Sequence, residues 1–500
     1  MKKASRLVVF LLMLAIVSAF VTSCKTTPGS ESSAAGESVN VKSELFGNLP
    51  NENYGDAEIK FLVEGDYRAP YCSEEIMPLE TSATVLSKAV SDRNALVEDR
   101  FKVKISEVRT TTGDQMTSTI RNIVAAGTDE YDIVMPYIPD AAALSLENNF
   151  YLLNDFENIH LEEDYWDQAA VEGLSINNKN YFATGDFSVL TLACTHAVVF
   201  NKDIVTENSL ENPYNLVKKG QWTIDKMKEM ARKITRDSDG ITGMTAEDTY
   251  GFLVNSNFAT SMFVGSGERL TNKDADDLPL ISVNSSKGVD VFTKIFDLFN
   301  DSQASGHIEN LRQVNGTGKT VWQLATDCVA NKRALFRAMA IVDIQELGNY
   351  ECNFGILPIP KYDVSQDDYY SLVSTIYATC AAIPSSNQNP EMAAVILDAI
   401  TQASTGTVKY SYYQTMLKDR KIQDNESEEM LDIIFSNHVF DLGNVFGWGD
   451  TSVYGNNSIA NFMNIIAFSG SNTFASTFES ISNKIQSDLD ATIEKFNEKN

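Results

Sequence analysis

Alternation of apolar and polar residues gives the first structural signal. Residues 58–64 alternate and then turn apolar, which predicts a buried β-strand. A helix is predicted over 83–101, where apolar side chains share one face, and a strand over 103–108. A further helix, ended by Gly127, leads into a strand at 131–135. This order predicts an α/β fold with a largely parallel sheet and helices on its faces.

The rest of the chain is more helical. Thr223 is placed to cap a helix with an apolar stripe, and Pro390 is placed at the first position of another. From Phe478 to Phe496 apolar residues fall on one face, which predicts a long amphipathic helix at the end of the chain. No internal repeat of fixed period is present.

The N-terminus has the pattern of an export signal. Three basic residues precede an apolar stretch at 7–20, which is shorter than the roughly 20 residues that span a bilayer. Residues 1–23 are therefore predicted to be a cleaved signal peptide. The small residue before Cys24 resembles a bacterial lipobox, in which the cysteine is lipidated and becomes the first mature residue. The alternative is an ordinary secreted protein in which Cys24 is incidental.

A tether is predicted after the signal. Residues 24–55 are rich in Ser, Thr, Gly, Asn and Glu and carry few large apolar side chains. A flexible coil of about thirty residues separates its ends by roughly 30 Å, enough to hold a folded domain clear of a membrane.

Composition narrows the class of protein. With 43% apolar and 22% charged residues the chain is globular and long enough for two domains. Loss of the signal peptide takes its three basic residues and moves the formal charge from −28 to −31, which disfavours binding to nucleic acid. Besides Cys24 there are five cysteines without a CxxC spacing, so no disulfide framework is expected, although one or two bridges stay open.

Several stretches resemble one known family when taken together. They are AGTDEYDIVMPY (126–137), HAVVFNKDIV (196–205), NPYNLVKKGQWTIDKMKEMA (212–231), FGILPIPK (354–361) and AAIPSSNQNPEMAAVIL (381–397). In this order they are similar to the extracellular solute-binding proteins of carbohydrate ABC importers, in the maltose-binding-protein branch.

This resemblance implies a two-lobed periplasmic-binding-protein-like fold with the ligand in the cleft between the lobes. It implies a protein that is not an enzyme, has no cofactor and acts as a monomer outside the cytoplasmic membrane. The implied partners are a carbohydrate ligand, expected to be an oligosaccharide, and an ABC permease. The implied lobes comprise 56–188 with 368–404, and 189–367 with 405–500. The chain is expected to cross between them near 186–195, 361–372 and 402–407.

Loops after predicted strands supply the first site candidates, because ligands of open α/β sheets lie beyond the carboxyl ends of strands. Carboxylates and arginine suit sugar hydroxyls, since charge-assisted hydrogen bonds are strong. The alternative is that these are solvated loop residues. The candidates are Glu64, Asp66, Tyr67 and Arg68 after the first strand, and Tyr137 and Asp140 after the strand that ends at Met135.

A sugar also offers an apolar face, which aromatic side chains bind. Trp448 lies between two glycines in 446–450, and family members stack a C-terminal aromatic residue on the sugar. Trp448 is therefore predicted as the stacking platform, with Asp450 beside it. Trp222 is predicted to be a packing residue, as are Trp166 and Trp322.

Further candidates follow from the resemblance. Asp186 lies at the first crossing and is placed to point into the cleft. Segment 332–343 lies where family members have a turn that faces the ligand; this sequence lacks that turn, and Arg337 and Asp343 are proposed in its place. Tyr377 is predicted to be a core residue.

Motifs of other chemistry are incomplete. Residues 316–320 imitate the end of a phosphate-binding loop, but residue 313 is Gln where a glycine is required. Residues 237–240 begin like a calcium loop without its later ligands. The four histidines show no metal-ligand spacing, so no metal site is expected. The alternative of a different class is a surface-anchored carbohydrate-active hydrolase, in which two carboxylates act as acid and base.

Overall fold

The structure is a computed structural model that describes residues 45–67, 71–79, 84–313, 316, 318–418 and 425–498. The predicted signal peptide, Cys24, most of the tether and Arg68 lie outside the described residues. Within the described ranges no helix is both long enough and apolar enough to cross a membrane.

The first sheet has three parallel strands in the order β2-β1-β3. Its strands are β1 (Ala57–Val63), β2 (Val103–Arg109) and β3 (Ile133–Met135). Helices α1 (Val85–Phe101) and α2 (Gln115–Ala126) connect them. Thr84 caps α1 by accepting a hydrogen bond from the Ser87 amide, and Gly127 ends α2 with a φ of 64°. The predicted parallel α/β arrangement is confirmed for this part of the chain.

The second sheet is mixed. Its order is β10-β4-β9-β5-β8, in which β4 runs antiparallel to both β10 and β9 while β5 runs parallel to β9 and β8. The strands, with the hairpin β6/β7, are β4 (His196–Asn201), β5 (Tyr250–Val254), β6 (Thr271–Lys273), β7 (Pro279–Ile281), β8 (Ser305–His307), β9 (Ala334–Ala340) and β10 (Phe354–Leu357). The expectation of a largely parallel sheet does not extend to this sheet.

Helices cover both sheets; two helix starts and the buried face of the final helix agree with the sequence. The Thr223 hydroxyl caps the helix that begins at Ile224, Pro390 is the first residue of its helix, and the final helix buries Phe478 and Phe496. The remaining bounds are α3 (Ile138–Leu146), α4 (Gln168–Leu174), α5 (Val189–Ala193), α6 (Lys202–Glu207), α7 (Pro213–Lys218), α8 (Ile224–Arg232), α9 (Phe258–Gly265), α10 (Ser286–Phe299), α11 (Val321–Ala330), α12 (Pro390–Ser404), α13 (Tyr410–Lys418), α14 (Asn425–Ser436), α15 (Gly443–Phe446), α16 (Phe462–Ile466) and α17 (Phe474–Glu498).

Short elements complete the chain. They are 3-10 turns at Leu153–Asp155, Ile308–Asn310 and Ile341–Asn349, a π-helical turn at Thr405–Lys409, and the parallel two-residue strands β11 (Ser371–Leu372) and β12 (His438–Val439).

Two segments connect the sheets and lie side by side. Residues 183–195 lead from the first sheet to β4, and residues 373–383 lead back. They pair through antiparallel bridges at both ends, Ala183 with Ala381 and Thr195 with Val373. Val134 of β3 also pairs with Ala382. We call these two stretches the connecting segments.

Tryptophan packing follows the sequence prediction at two positions. Trp222 is fully buried and donates its indole N–H to the Pro358 carbonyl at 2.9 Å. Trp166 is buried and donates to Asp398 Oδ1 at 3.0 Å. Trp322 is 43% exposed at the start of α11.

Packed structure begins earlier than the predicted end of the tether at residue 55. Phe46 and Leu49 are buried, and Phe46 packs edge-on against Phe101. Arg100 Nη2 donates to the Pro50 carbonyl at 3.1 Å. These two apolar side chains supply enough buried surface to hold a stretch whose polar composition predicted a coil.

Candidate functional site

A pocket of about 200 Å³ lies where the connecting segments, the second sheet and the C-terminal region meet. Tyr71 and Tyr377 form one wall; Asn255 and Asp343 come from the second sheet, and Tyr454 from the C-terminal region. We call it the cleft pocket.

Strand ends deliver the residues of the second sheet. Asn255 directly follows β5, and Asp343 lies in the 3-10 turn that follows β9. Because β4 runs antiparallel to β9, its first residue, His196, reaches the same edge. The pocket therefore lies where ligands of α/β sheets are expected, beyond the carboxyl ends of the parallel strands.

Aromatic rings line two walls of the cleft pocket. Tyr71 and Tyr377 stack with ring centroids 4.4 Å apart and an interplanar angle of 31°. His196 and Phe258 form a second pair, also 4.4 Å apart. Tyr454 is 51% exposed. Flat apolar faces of this kind match the C–H faces of sugars.

Five asparagines are among the polar residues that line the cleft pocket. Asn464 Oδ1 accepts from the Thr260 amide and hydroxyl, both at 3.0 Å, and Asn464 Nδ2 donates to Asn461 Oδ1 at 3.2 Å. Asn257 and Asn444 also line the pocket. Amides both donate and accept hydrogen bonds, so this surface can satisfy hydroxyl groups in either role.

Among the described residues that line the cleft pocket, Asp343 is the one carboxylate, and no lysine or arginine is present. Tyr71 donates its hydroxyl to Asp343 Oδ1 at 3.3 Å. Burial raises the pKa of Asp343, although the Arg337 guanidinium opposes that shift. Burial also lowers the pKa of His196 to about 4, so this imidazole is neutral near pH 7. The pocket suits an uncharged ligand better than an anion.

Asp343 is the predicted site residue that lines this pocket. Arg337 is buried behind it and donates from Nη1 to Thr326 Oγ1 at 2.6 Å. Its positive charge acts on Asp343, but Arg337 does not line the pocket. Tyr137 is buried behind the tyrosine pair; it donates its hydroxyl to the Tyr71 carbonyl at 3.0 Å and meets the Tyr377 ring edge-on.

The other strand-end candidates lie elsewhere. Glu64 is fully buried and accepts hydrogen bonds from the Tyr67 hydroxyl and from Thr110 Oγ1. Asp66 is exposed, and Asp140 lies in the first turn of α3. Glu64, Tyr67, Asp66 and Asp140 do not line the cleft pocket. Tyr71, a few residues later in the chain, lines the pocket in their place.

Trp448 is a core residue, which corrects its assignment as a stacking platform. It is 3% exposed, donates to Thr492 Oγ1 at 2.8 Å and stacks on Phe446. A Cβ at Gly447 would lie 2.7 Å from Val453 Cα, and a Cβ at Gly449 would lie 2.4 Å from the Asn457 carbonyl oxygen. The flanking glycines thus do allow close approach of the backbone, but the neighbours are other parts of the protein core and not a ligand. Asp450 accepts from the Thr451 and Asn457 amides in a local turn outside the pocket.

Asp186 belongs to a second pocket of about 220 Å³, together with Asp167, Lys409 and His438. Lys409 Nζ lies 2.6 Å from Asp186 Oδ1. The expectation that Asp186 points into the cleft is therefore wrong, because this ion pair holds it at the second pocket.

His438 links the start of α4 to the end of α14. Its Nε2 lies 2.7 Å from Asp167 Oδ2, and its Nδ1 faces the Phe435 carbonyl oxygen. Both ring nitrogens face acceptors, so only the doubly protonated imidazolium makes both hydrogen bonds. Burial opposes the charge, but Asp167 and the Phe435 carbonyl outweigh it and raise the pKa of His438.

The incomplete motifs have structural roles. In the phosphate-loop imitation Thr320 caps α11, and Lys319 Nζ lies 2.6 Å from Asp327 Oδ2. The oxygens of Asp237, Asp239 and Asp248 lie within 4.8 Å of one another, but they accept hydrogen bonds from the amides of this turn. The five cysteines in the described part of the chain are free thiols.

Sequence reasoning missed most of the lining. Asn255 and Asn257 follow a strand and would have been found by the strand-end rule had residues 250–254 been recognised as one. Tyr377 was predicted to be core, but it is half-buried and lines the pocket. No local pattern marks Tyr71 or Tyr454, since long-range packing brings them there.

Solved structures of solute-binding proteins align with most of the chain. UgpB of Mycobacterium tuberculosis, solved with glycerophosphocholine, aligns over 88% of this chain and 100% of its own, with 13% identity and a TM-score of 0.55. A cyclo/maltodextrin-binding protein complexed with maltotetraose aligns over 87% of this chain and 97% of its own, with 12% identity and a TM-score of 0.56. The maltose-binding protein MalE of Listeria monocytogenes, in complex with maltose, covers 87% and 98%, with 14% identity and a TM-score of 0.53.

The chain is similar to these proteins in fold. It has the two-lobed α/β architecture of periplasmic solute-binding proteins, as the sequence predicted. No protein-family model matches the chain, and no curated protein matches it in sequence.

The His438–Asp167 pair predicts a pH-dependent contribution to stability. Because the folded-state pKa of His438 is raised, its contribution is complete below the unfolded value of about 6.5 and is lost as pH rises through the folded value. We expect His438→Asn to lower the free energy of unfolding by about 1–3 kcal/mol near pH 5.5 and by less near pH 8.5. Urea unfolding at the two pH values measures this.

Asp167→Asn is the companion variant, because it removes the acceptor and leaves the histidine in place. It should lose the same pH-dependent contribution. A difference between parent and His438→Asn that stays constant with pH contradicts the assignment.

Proposed function

We propose that the protein is an extracytoplasmic solute-binding protein that captures a neutral carbohydrate, by expectation an oligosaccharide, in the cleft pocket and delivers it to an ABC permease. The observation that carries this proposal is the lining of the pocket: a pair of packed tyrosines and a cluster of asparagines, with no lysine or arginine among the described lining residues. Aromatic faces with a few polar groups that fix orientation are typical of small-ligand sites.

The fold alone does not select the ligand. Neighbours with this fold were solved with maltose and maltotetraose, and another with glycerophosphocholine. The residues of the cleft pocket favour the neutral sugar, since its described lining holds no lysine or arginine to compensate a phosphate charge and His196 is neutral near pH 7.

The small number of carboxylates in the cleft pocket favours binding over hydrolysis. A glycosidase of the common type needs two carboxyl groups about 5–10 Å apart across the scissile bond. The described lining residues include one, Asp343, which already accepts a hydrogen bond from Tyr71.

The lobes are proposed to comprise 56–188 with 368–404, and 189–367 with 405–500, with the connecting segments as part of the hinge. Closure of such lobes on a ligand excludes water and strengthens the polar contacts. In this arrangement the protein acts as a monomer.

A thermal-shift screen tests the ligand class. We expect neutral oligosaccharides to stabilise the protein, by about 2.7 kcal/mol at 100 times the dissociation constant. An anionic sugar or glycerophosphocholine should have no effect. Chromatography of the same mixtures should reveal no cleaved product, and a product would favour the hydrolase.

Tyr454→Ala and Tyr410→Ala form a matched pair for calorimetry with the best sugar. Both tyrosines are 51% exposed, but only Tyr454 lines the cleft pocket. Loss of Tyr454 should weaken binding by about 1–3 kcal/mol, because a stacking surface disappears, and Tyr410→Ala should bind like the parent. Equal affinities for both variants contradict the assignment.

Membrane attachment is the second part of the proposal. Its support is the sequence pattern before Cys24, at which a diacylglycerol group would tether the mature chain outside the cytoplasmic membrane. The permease partner would then act on a binding protein held close to it.

Cys24→Ser tests this attachment in cells. We expect the variant to leave the membrane fraction or to retain its signal peptide, as read by fractionation and intact mass. Cys352→Ser, at a half-buried cysteine in the described part of the chain, is the control and should stay at the membrane. Membrane retention and N-terminal mass that match the parent would rule out a lipid at Cys24.

A further inference from the structure

An irregular segment between β1 and α1, residues 71–79, carries Tyr71 into the cleft pocket. Arg109 donates to the Ser73 carbonyl at 2.6 Å and to the Met77 carbonyl at 3.3 Å. The Met77 amide donates to Glu107 Oε2 at 2.9 Å. The backbone of this segment is therefore held by side chains of β2 in place of a regular hydrogen-bond ladder.

Glu75 lies in the middle of the segment and is fully buried. Its Oε1 accepts from the Leu190 amide at 3.0 Å, and its Oε2 accepts from the Thr379 hydroxyl at 2.7 Å. Leu190 belongs to the first connecting segment and Thr379 to the second. One carboxylate thus ties residues 71–79 to both connections between the sheets.

This carboxylate is costly to bury, which argues for a specific role. Burial raises the pKa of Glu75, and its hydrogen bonds oppose that shift. Arg93, also fully buried, supplies the opposite charge nearby; burial lowers the pKa of Arg93 to about 9, and Glu75 opposes the shift. Arg93 also donates to the Ile76 carbonyl at 3.0 Å, next to Glu75 in the chain. In some proteins buried charges serve to fix one geometry, and the partners of Glu75 on three stretches of chain fit that role.

The same two stretches of chain meet again in the cleft pocket. Tyr71 lies four residues before Glu75 and stacks on Tyr377, which lies two residues before Thr379. The Tyr71 hydroxyl also donates to Asp343 Oδ1, which lines the same pocket. A shift of Glu75 relative to Thr379 would therefore displace Tyr71 relative to Tyr377.

We propose that Glu75 is a positioning residue that fixes Tyr71 in the cleft pocket by anchoring residues 71–79 to both connecting segments. Movement of the connecting segments is then transmitted to the aromatic wall that meets the ligand. The role of Tyr71 in ligand contact rests on the proposed binding function, but the placement of Tyr71 is measurable without any ligand.

Nitration of Tyr71 by tetranitromethane, located by peptide mass mapping, is the test. Tyr71 should react slowly in the parent, because burial and the nearby Asp343 raise the pKa of its phenol, and the phenolate is the reactive form. Glu75→Leu, which removes both acceptors at similar volume, should speed nitration of Tyr71 at least threefold. Glu75→Gln retains an acceptor and should restore protection.

If Glu75→Leu does not fold, Thr379→Val provides the test, because it removes the hydroxyl that donates to Glu75 Oε2. Two controls match these changes at buried positions away from the cleft pocket. Asp398→Leu removes a buried carboxylate that accepts from Tyr165 and Trp166, and Thr401→Val removes a buried hydroxyl bonded to the Leu397 carbonyl. Both controls should leave the rate at Tyr71 unchanged.

Parent-like nitration in folded Thr379→Val or Glu75→Leu would overturn the proposal. An equal rise in the controls would do the same, because it would indicate general loosening. Calorimetry with maltotetraose, run separately on the parent, tests the binding function. If maltotetraose does not bind but nitration is faster in the Glu75 and Thr379 variants, the positioning role stands and only maltotetraose is rejected as a ligand.

Discussion

The connecting segments lie next to each other because two antiparallel bridges, Ala183 with Ala381 and Thr195 with Val373, hold them together. Buried backbone and side-chain polar groups in such segments need partners inside the protein. Glu75 supplies two of these partners and draws residues 71–79 onto the pair. The aromatic wall of the cleft pocket depends on this arrangement, since Tyr71 and Tyr377 each come from one of the stretches that it joins.

The chemistry of the cleft pocket differs from that of the chain as a whole. The formal charge of the protein is −28, but among the described lining residues the single carboxylate belongs to Asp343. Asparagines and hydroxyl groups provide donors and acceptors without a net charge, and the rings provide apolar faces. The lining of the cleft pocket therefore suits an uncharged ligand, although the chain as a whole is strongly acidic.

Local signals in the sequence predicted local structure well. Thr223 caps the start of one helix and Gly127 ends another, as their side-chain chemistry and backbone freedom predict, and the N-terminal α/β alternation forms a parallel sheet. The site was harder to predict, because a pocket is assembled from residues far apart in the chain. Among the candidates in the described part of the chain, Asp343 lines it, whereas Asp186 is held by Lys409. The glycines around Trp448 correctly indicated close contact, but sequence alone does not tell whether a ligand or the core makes it.

Hydrogen–deuterium exchange, with the sugar that stabilises the protein most, tests the central claim that one ligand is held in the cleft pocket, between the tyrosine pair, the second sheet and the C-terminal region. The account predicts slower exchange in peptides that contain Tyr71, Asn255, Asp343 and Tyr454, from both sides of the cleft pocket. Peptides around Asp167 and Lys409 at the second pocket should gain less protection. Protection confined to one side of the cleft, or centred on the second pocket, would contradict it.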